Sequence, residues 1–410
     1  MGGKYDRALL LGALLASPAG AAMVWAHFWP DARLMEPQGF YLGRDFLNYW
    51  TGGRLAITGD AASAYDLARY NALLREWFWP EQSGMAFSYP PHALPLLAPF
   101  GAVPYLTAYV LWSGLGALGF AAVALGGAPK AADRSIVAAI ALAPVVWVNI
   151  IFGQLGLLLA VMFVGALRAL PGRPLLAGVL LGLLTVKPQL GLLLPIVLLM
   201  TGAWRAIAAA VITTLALVGL SLALFGIEPW RLYWEHTMPL QWAFVTDMNG
   251  FYVNQMVTPY TALWSLGVPS GIALKIQGVI ALAVAIAVLA VLRSAASWPL
   301  KCAVTAFGAV LAVPYVLAYD LAIPLAALVW HLRADRPRAT PCGMALAGTL
   351  WALPFALTIM LQLDGIPLTP VVLVAGFAWL ARTALRSGHC AQATMMGVRE
   401  RATPGPAATP

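Results

Sequence analysis

Residues 173–200 read RPLLAGVLLGLLTVKPQLGLLLPIVLLM, two apolar runs separated by Lys187, Pro188 and Gln189. Taken whole, the stretch is one span with a charge inside it. Taken as two, residues 174–187 make about 21 Å of helix at roughly 1.5 Å per residue, against about 30 Å of hydrocarbon. The same form recurs where Asn149 and Gln154 interrupt the apolar sequence, and again at Tyr319-Asp320. Three short pairs, each reversing at a polar spot, predict broken hairpins that stop below the lipid surface. Irregular backbone is tolerated there only where protein or a cavity shelters it. The expectation is a water-accessible hollow lined by the three reversals.

Composition supports a membrane reading. The chain has 410 residues, 61% of them hydrophobic and 10% charged, with a mean hydropathy of +0.81. A soluble domain holds about 25% charged residues, and a chain this apolar could not cover its core with polar surface. Apolar segments recur near 7–26, 102–125, 135–151, 154–170, 174–187, 189–202, 206–225, 272–292, 299–317, 321–332, 342–362 and 366–384. The fold class expected is therefore all-α and integral to a membrane, a polytopic bundle of about twelve segments. The first segment, after Lys4 and Arg7, resembles a signal peptide in its small residues 16–22, but its length favours a retained span.

With both termini in the cytoplasm, every short inner loop carries Lys or Arg, as the positive-inside rule requires. The inner side then holds Lys4, Arg7, Lys130, Arg134, Arg168, Arg173, Arg205, Arg293, Lys301, Arg333, Arg336, Arg338, Arg382, Arg386, Arg399 and Arg401. Most carboxylates fall outside, so the carboxylate chemistry is expected there. Cys302, Cys342 and Cys390 fall inside, where thiols stay reduced, and no disulfide is expected. Residues 1–386 read as one membrane domain with outer loops at 27–101 and 227–271, and 387–410 as a polar, Pro-rich tail without fixed structure. The net charge of +8 is not gathered into a basic run with interleaved aromatics. With no zinc-spaced Cys/His cluster or nucleotide-binding glycine loop either, no nucleic-acid partner is expected.

Polarity concentrates in the first outer loop, where residues 43–55 read GRDFLNYWTGGRL. Asp45 is placed to cap a helix from Phe46 to about Thr58, with Gly59 as its stop. Phe46, Trp50, Gly53 and Ile57 share one stripe, which could lie on the membrane while Asp45 stays at the exposed helix start. The helix N-terminus favours an ionised carboxylate, a competent proton acceptor unless burial intervenes. Each candidate has a plainer reading. Asp45 could only cap, Arg44 could pair with headgroups, and Lys187 could snorkel to the interface. Asp320 could cap the helix that follows it, and Gln154 could be an ordinary inter-helix hydrogen-bonding residue. Ionisable residues embedded in a membrane are nonetheless functional candidates by default.

Five motifs in order carry a family resemblance. RDFLNYWTGGRLAITGDAASAYD presents Asp45-Phe46, Tyr49-Trp50, Gly53-Arg54 and Tyr65-Asp66. FSYPPHALPLLAPF supplies Tyr89, Pro90 and Pro91, GQLGLLLA supplies Gly153-Gln154, and the 173–188 segment supplies Arg173-Pro174 and Lys187-Pro188. Asn254-Gln255 completes the set, with Met256 where the family usually has Ser. Together, from about residue 40 to 335, they resemble the polyprenyl-phosphate-dependent glycosyltransferase family 87. This GT-C family includes mycobacterial mannosyltransferases acting on phosphatidylinositol mannosides.

The resemblance implies a GT-C-like bundle in the plasma membrane, with its active site facing the exterior. It implies transfer of a hexose, mannose first, from a polyprenyl-phosphate donor to a lipid or glycan hydroxyl. Asp45 carries over as the general base. Lys187 is then the first choice to meet the leaving phosphate, with Arg44 or His236 next. Tyr49, Trp50, Tyr89, Gln154, Gln255 and Asp320 are candidate contacts to sugar or lipid. Without a DxD motif neither metal nor other cofactor is called for. The alternative is a transporter or flippase of lipid-linked sugars, which should show a repeated topology that this sequence lacks. A relative acting on lipid A or protein hydroxyls usually shows an Asp-Glu pair where this chain has Asp45-Phe46.

Overall fold

The computed structural model describes residues 3–79, 84–127, 134–247, 256–360 and 368–401. Each of the twelve apolar segments overlaps helix among the described residues. Among the described residues six helices are long and apolar enough to cross a membrane: Lys4–His27, Tyr105–Leu125, Arg134–Ile151, Trp204–Phe225, Ser270–Arg293 and Leu368–Arg386. Shorter apolar helices occupy Gly156–Ala169, Pro174–Val186, Pro188–Met200, Trp298–Leu311 and Pro341–Phe355. Proline opens several of them. Pro144, Pro174, Pro188 and Pro341 stand at first helical positions, where a missing N–H leaves no bond unmade.

Burial is distributed as a membrane protein requires. The inner helices Trp298–Leu311 and Ala322–Asp335 bury nearly every side chain. By contrast Trp204–Phe225 turns Val211, Ile212, Leu215 and Leu224 outward, and Ser270–Arg293 does the same with Val279, Leu282 and Ile286. Contiguous apolar surface of this extent marks contact with lipid rather than water. Without a hydrophobic drive between helices in lipid, close backbone approach takes over. The first helix shows this against Pro341–Met360, where a Cβ on Gly12 would meet the Gly348 carbonyl at 2.3 Å.

The three reversals converge, and the polar side chains at them turn into protein rather than into an open hollow. Asn149 Nδ2 donates to the Tyr319 carbonyl at 3.0 Å, joining the first reversal to the third. Lys187 joins the second to the third through Asp320. Both are enclosed, Lys187 at 6% exposure and Asp320 at 0%. Protein shelters Asn149, Gln154, Lys187, Tyr319 and Asp320, while Pro188 between them stays exposed. Polar turns and apolar flanks are compatible with either shelter, so sequence pattern alone could not choose.

The segment expected to be the first outer loop forms the helix Phe46–Ile57, with Thr58 as its C-cap and Gly59 at φ +79°. Its expected membrane face is instead a protein face. Phe46 is fully buried, Trp50 Nε1 donates to the Val103 carbonyl, and a Cβ on Gly53 would meet the Leu97 carbonyl at 2.3 Å. Of the stripe only Ile57 is exposed. A 3.6-residue period reports an apolar neighbour without distinguishing lipid from the helix Leu94–Gly101. The expectation of an N-cap also needs correction. Asp45 occupies the cap position but has helical φ −71° and ψ −14°, and its side chain accepts no capping bond. Gly43 and Arg44, at φ +82° and +41°, form a left-handed turn. The N–H groups of Phe46, Leu47 and Asn48 then bond the carbonyls of Gly43, Arg44 and Asp45, which leaves the carboxylate free.

Candidate active site

Gly153 decides where Asp45 goes. It has φ +59°, in the left-handed region that favours glycine. A Cβ there would lie 2.2 Å from the Gly43 carbonyl oxygen and 2.4 Å from Phe46 Cβ. The turn after Pro144–Ile151 therefore meets the start of Phe46–Ile57 backbone to backbone, and Asp45 N–H donates to the Phe152 carbonyl at 3.2 Å. This close approach lets Gln154 Nε2 donate to Asp45 Oδ2. Among the described residues Oδ1 has no such partner.

Hydrogen-bond roles follow in sequence from the carboxylate. An ionised carboxylate only accepts, so the Gln154 amide must present its NH₂ to Asp45 and its oxygen to the other side. That oxygen accepts from the Tyr49 hydroxyl at 2.9 Å. With the Tyr49 proton committed, the Tyr89 hydroxyl donates to Tyr49 at 2.5 Å. Trp112 locks the assembly by stacking on Tyr49 at 4.7 Å and donating from Nε1 to the Gln154 carbonyl at 3.2 Å.

Burial pushes the Asp45 carboxyl up to about 6, against the Gln154 bond and the Arg44 charge, which pull it down. The helix start alone had suggested an ordinary ionised group. At pH 7 the carboxylate still predominates, and a base titrating just below the working pH is well matched to general-base chemistry. Gln154→Leu removes the donor that favours the charged form. The acid limb of any Asp45-dependent activity should then move to higher pH, with the loss deepest near pH 6 and recovered at alkaline pH. A pH profile checks this, and a uniform loss at every pH would rule out the electrostatic role.

A second carboxylate stands close by. Asp320, in the turn Ala318–Leu321, takes the Lys187 ammonium on both oxygens at 2.7 Å and the Leu317 N–H at 3.2 Å. Asp320 thus also does some of what its plainer reading asks, because it satisfies a backbone donor of its own turn. Lys187 Nζ lies 5.2 Å from the Tyr319 ring centroid. Tyr49, Tyr89 and Tyr319 are each within electrostatic reach of both Asp45 and Asp320. Burial above all holds the Tyr49 and Tyr89 phenols well above their usual range, and the two carboxylates add to it. These tyrosines donate hydrogen bonds at any ordinary pH.

Of the residues expected at the site, Asp45, Tyr49, Tyr89, Gln154, Lys187 and Asp320 share this neighbourhood. Arg44 adjoins it, but its guanidinium bonds Glu36 at 2.8 Å and lies over the rings of Phe40 and Phe152. Trp50 lies edge-on to Trp77, Phe78 and Tyr105, with its Nε1 on the Val103 carbonyl. His236 Nδ1 lies 3.2 Å from the Tyr65 carbonyl oxygen, beside a separate cavity of about 330 Å³ bordered by Tyr65, Tyr70, Phe87 and Leu240. Gln255 lies outside the described residues. Among the described residues no three His, Cys, Asp or Glu side chains gather as a metal ion would need. Sequence reasoning missed Glu36, His27, Trp112 and the Asn149–Tyr319 link. No spacing marks Glu36 or His27, since both lie in or beside an irregular loop without period.

A family model described as "Glycosyltransferase family 87" matches residues 87–314. That range is more than half of the chain and includes Tyr89, Gln154 and Lys187, while Asp45 and Asp320 lie beyond its ends. No curated protein and no solved structure matches the chain.

Proposed function

The chain belongs to glycosyltransferase family 87, and from that premise we propose a transfer reaction centred on Asp45. A hexose, mannose first among the candidates, moves from a polyprenyl-phosphate donor to a hydroxyl of a lipid or glycan acceptor. The observation that carries this reading is the half-buried Asp45 carboxylate, fixed through Oδ2 by Gln154 with Oδ1 open. In the proposed step Oδ1 takes the proton of the acceptor hydroxyl. The hydroxyl oxygen forms the new bond to the anomeric carbon, and the polyprenyl phosphate leaves with the electrons of the bond it breaks. Charge growing on that phosphate calls for fixed donors. Lys187 supplies one by sharing its ammonium between Asp320 and the phosphate. Arg44, held by Glu36, is the weaker candidate for this task.

We further read the short helices as paired crossings, which with the long ones makes about twelve spans. Both termini are then cytoplasmic and the site opens to the exterior of the plasma membrane. The charge placement supports this orientation. Reporter fusions at residues 60 and 240 should both report the outer side, and a fusion at 335 the inner side. An inner report at 240 would mean that 174–202 crosses once. For the reaction, lipids and polysaccharides of a strain lacking the protein are compared with its parent by mass spectrometry. The expected result is loss of one hexosylated product and accumulation of its acceptor. Unchanged spectra under conditions of expression would remove the reading.

A further inference from the structure

A second buried polar chain runs up to Asp45 from the other side. His27 ends the first helix with its ring fully enclosed. Its Nε2 lies 2.8 Å from the Tyr109 hydroxyl, and that hydroxyl donates to the Ile150 carbonyl at 2.8 Å. The Tyr109 proton being spent, Nε2 must be the donor. Nδ1 lies 2.5 Å from Oε1 of Glu36, itself 3% exposed, so one further hydrogen is held between ring and carboxylate. The other Glu36 oxygen takes Arg44 through its terminal nitrogen at 2.8 Å and Nε at 3.2 Å. Arg44 has φ +41° and immediately precedes Asp45. One shared proton, one carboxylate and one guanidinium sum to a single net positive charge beside Asp45.

Burying three ionisable groups is costly unless they are paired, and the favoured transfer step uses none of them. We propose that His27, Glu36 and Arg44 are a positioning chain for Asp45. Glu36 clamps the guanidinium and with it the left-handed turn that aims Asp45 at Gln154, while the net charge of the chain sets how readily Asp45 ionises. The inference rests on Asp45 being the base. Arg44 already counters the effect of burial on this carboxyl. Around Asp45 stand Gln154, Tyr49 of its own helix, and Tyr89, Tyr105 and Tyr319 from other elements. Facing Glu36 besides His27 and Arg44 are Tyr105 and Tyr109.

The test uses the full chain in lipid nanodiscs and needs no substrate. Infrared difference spectra recorded against pH follow the carboxyl band that Asp45→Asn abolishes. Arg44→Gln removes a positive charge and should raise the midpoint of that band by about half a unit or more. Glu36→Gln removes a carboxylate together with the proton it shares with His27, so the net charge is kept and its midpoint should stay below that of Arg44→Gln. Loosening of the fold alone would expose the carboxyl and lower both midpoints. A midpoint for Arg44→Gln no higher than that of wild type, or one for Glu36→Gln as high as that of Arg44→Gln, overturns the proposal. Should Glu36→Gln fail to fold, Arg44→Lys decides, since it keeps the charge without the two-pronged bond. Its midpoint should fall below that of Arg44→Gln, and coincidence of the two would overturn the proposal. If the shifts appear while Asp45→Asn retains sugar transfer, the charge chain stands and the catalytic reading of Asp45 falls.

Discussion

Asp45→Asn should lower sugar transfer by about 10²–10⁴-fold, the usual contribution of a positioned general base. The substitution is nearly isosteric, and its side-chain oxygen can still accept the Gln154 amide proton that Asp45 Oδ2 accepts. It removes the ability to take a proton while the geometry persists. Stability gives an independent control whose sign is fixed. Asp45 titrates near 6 in the folded chain against about 3.9 in an unfolded one. The folded state therefore binds more protons between those values, and stability falls as pH rises through that window. Asn stays neutral and escapes this loss, so the variant should unfold no earlier than wild type at pH 7. Transfer by the purified variant within a few-fold of wild type would place the base elsewhere.

Lys187→Met should have the largest effect on stability. The ammonium and its partner carboxylate are both buried and doubly bonded at 2.7 Å. Removing one partner leaves the other charged, desolvated and alone, at a cost of about 3–5 kcal/mol. Lys187→Met with Asp320→Asn removes both charges and keeps an acceptor for the Leu317 N–H, so most of the loss should return. Thermal unfolding in detergent of the two single variants and the double variant measures this directly. A single variant as stable as wild type would contradict the buried pair. A double variant that is stable but poor in donor use would assign Lys187 to the phosphate, which separates its chemical task from its structural one.

The helices were legible because long apolar runs point to membrane-crossing helix, and each of the twelve runs overlaps helix among the described residues. The broken hairpins were equally legible from Asn149, Lys187 and Asp320, polar residues where an unbroken span could not hold them. The environment of those residues was not. Whether Lys187 faces water or Asp320 depends on an approach across 133 residues, and no local pattern encodes that distance. Phe46, Trp50 and Gly53 announced an apolar neighbour, and only the fold shows it to be the Leu94–Gly101 helix and its flanks. At the site, Asp45, Tyr49 and Gln154 carried motif signals and came together. Glu36 and His27 carried none, being isolated polar residues whose importance lies wholly in what encloses them.

The partnership of Lys187 with Asp320 also sets a timetable for biogenesis. Synthesis runs from the N-terminus at about 5–20 residues per second, and the acidic partner emerges 133 residues after the basic one. For roughly 7–27 seconds at that speed the nascent hairpin holds an ammonium that its final partner cannot yet neutralise. During this interval the charge must stay in reach of the aqueous boundary, its stem lying along the helix and its head in the headgroups. The 174–200 hairpin thus settles to its final depth only after the ribosome has passed Asp320, which makes this buried ion pair a late-assembled contact of the chain.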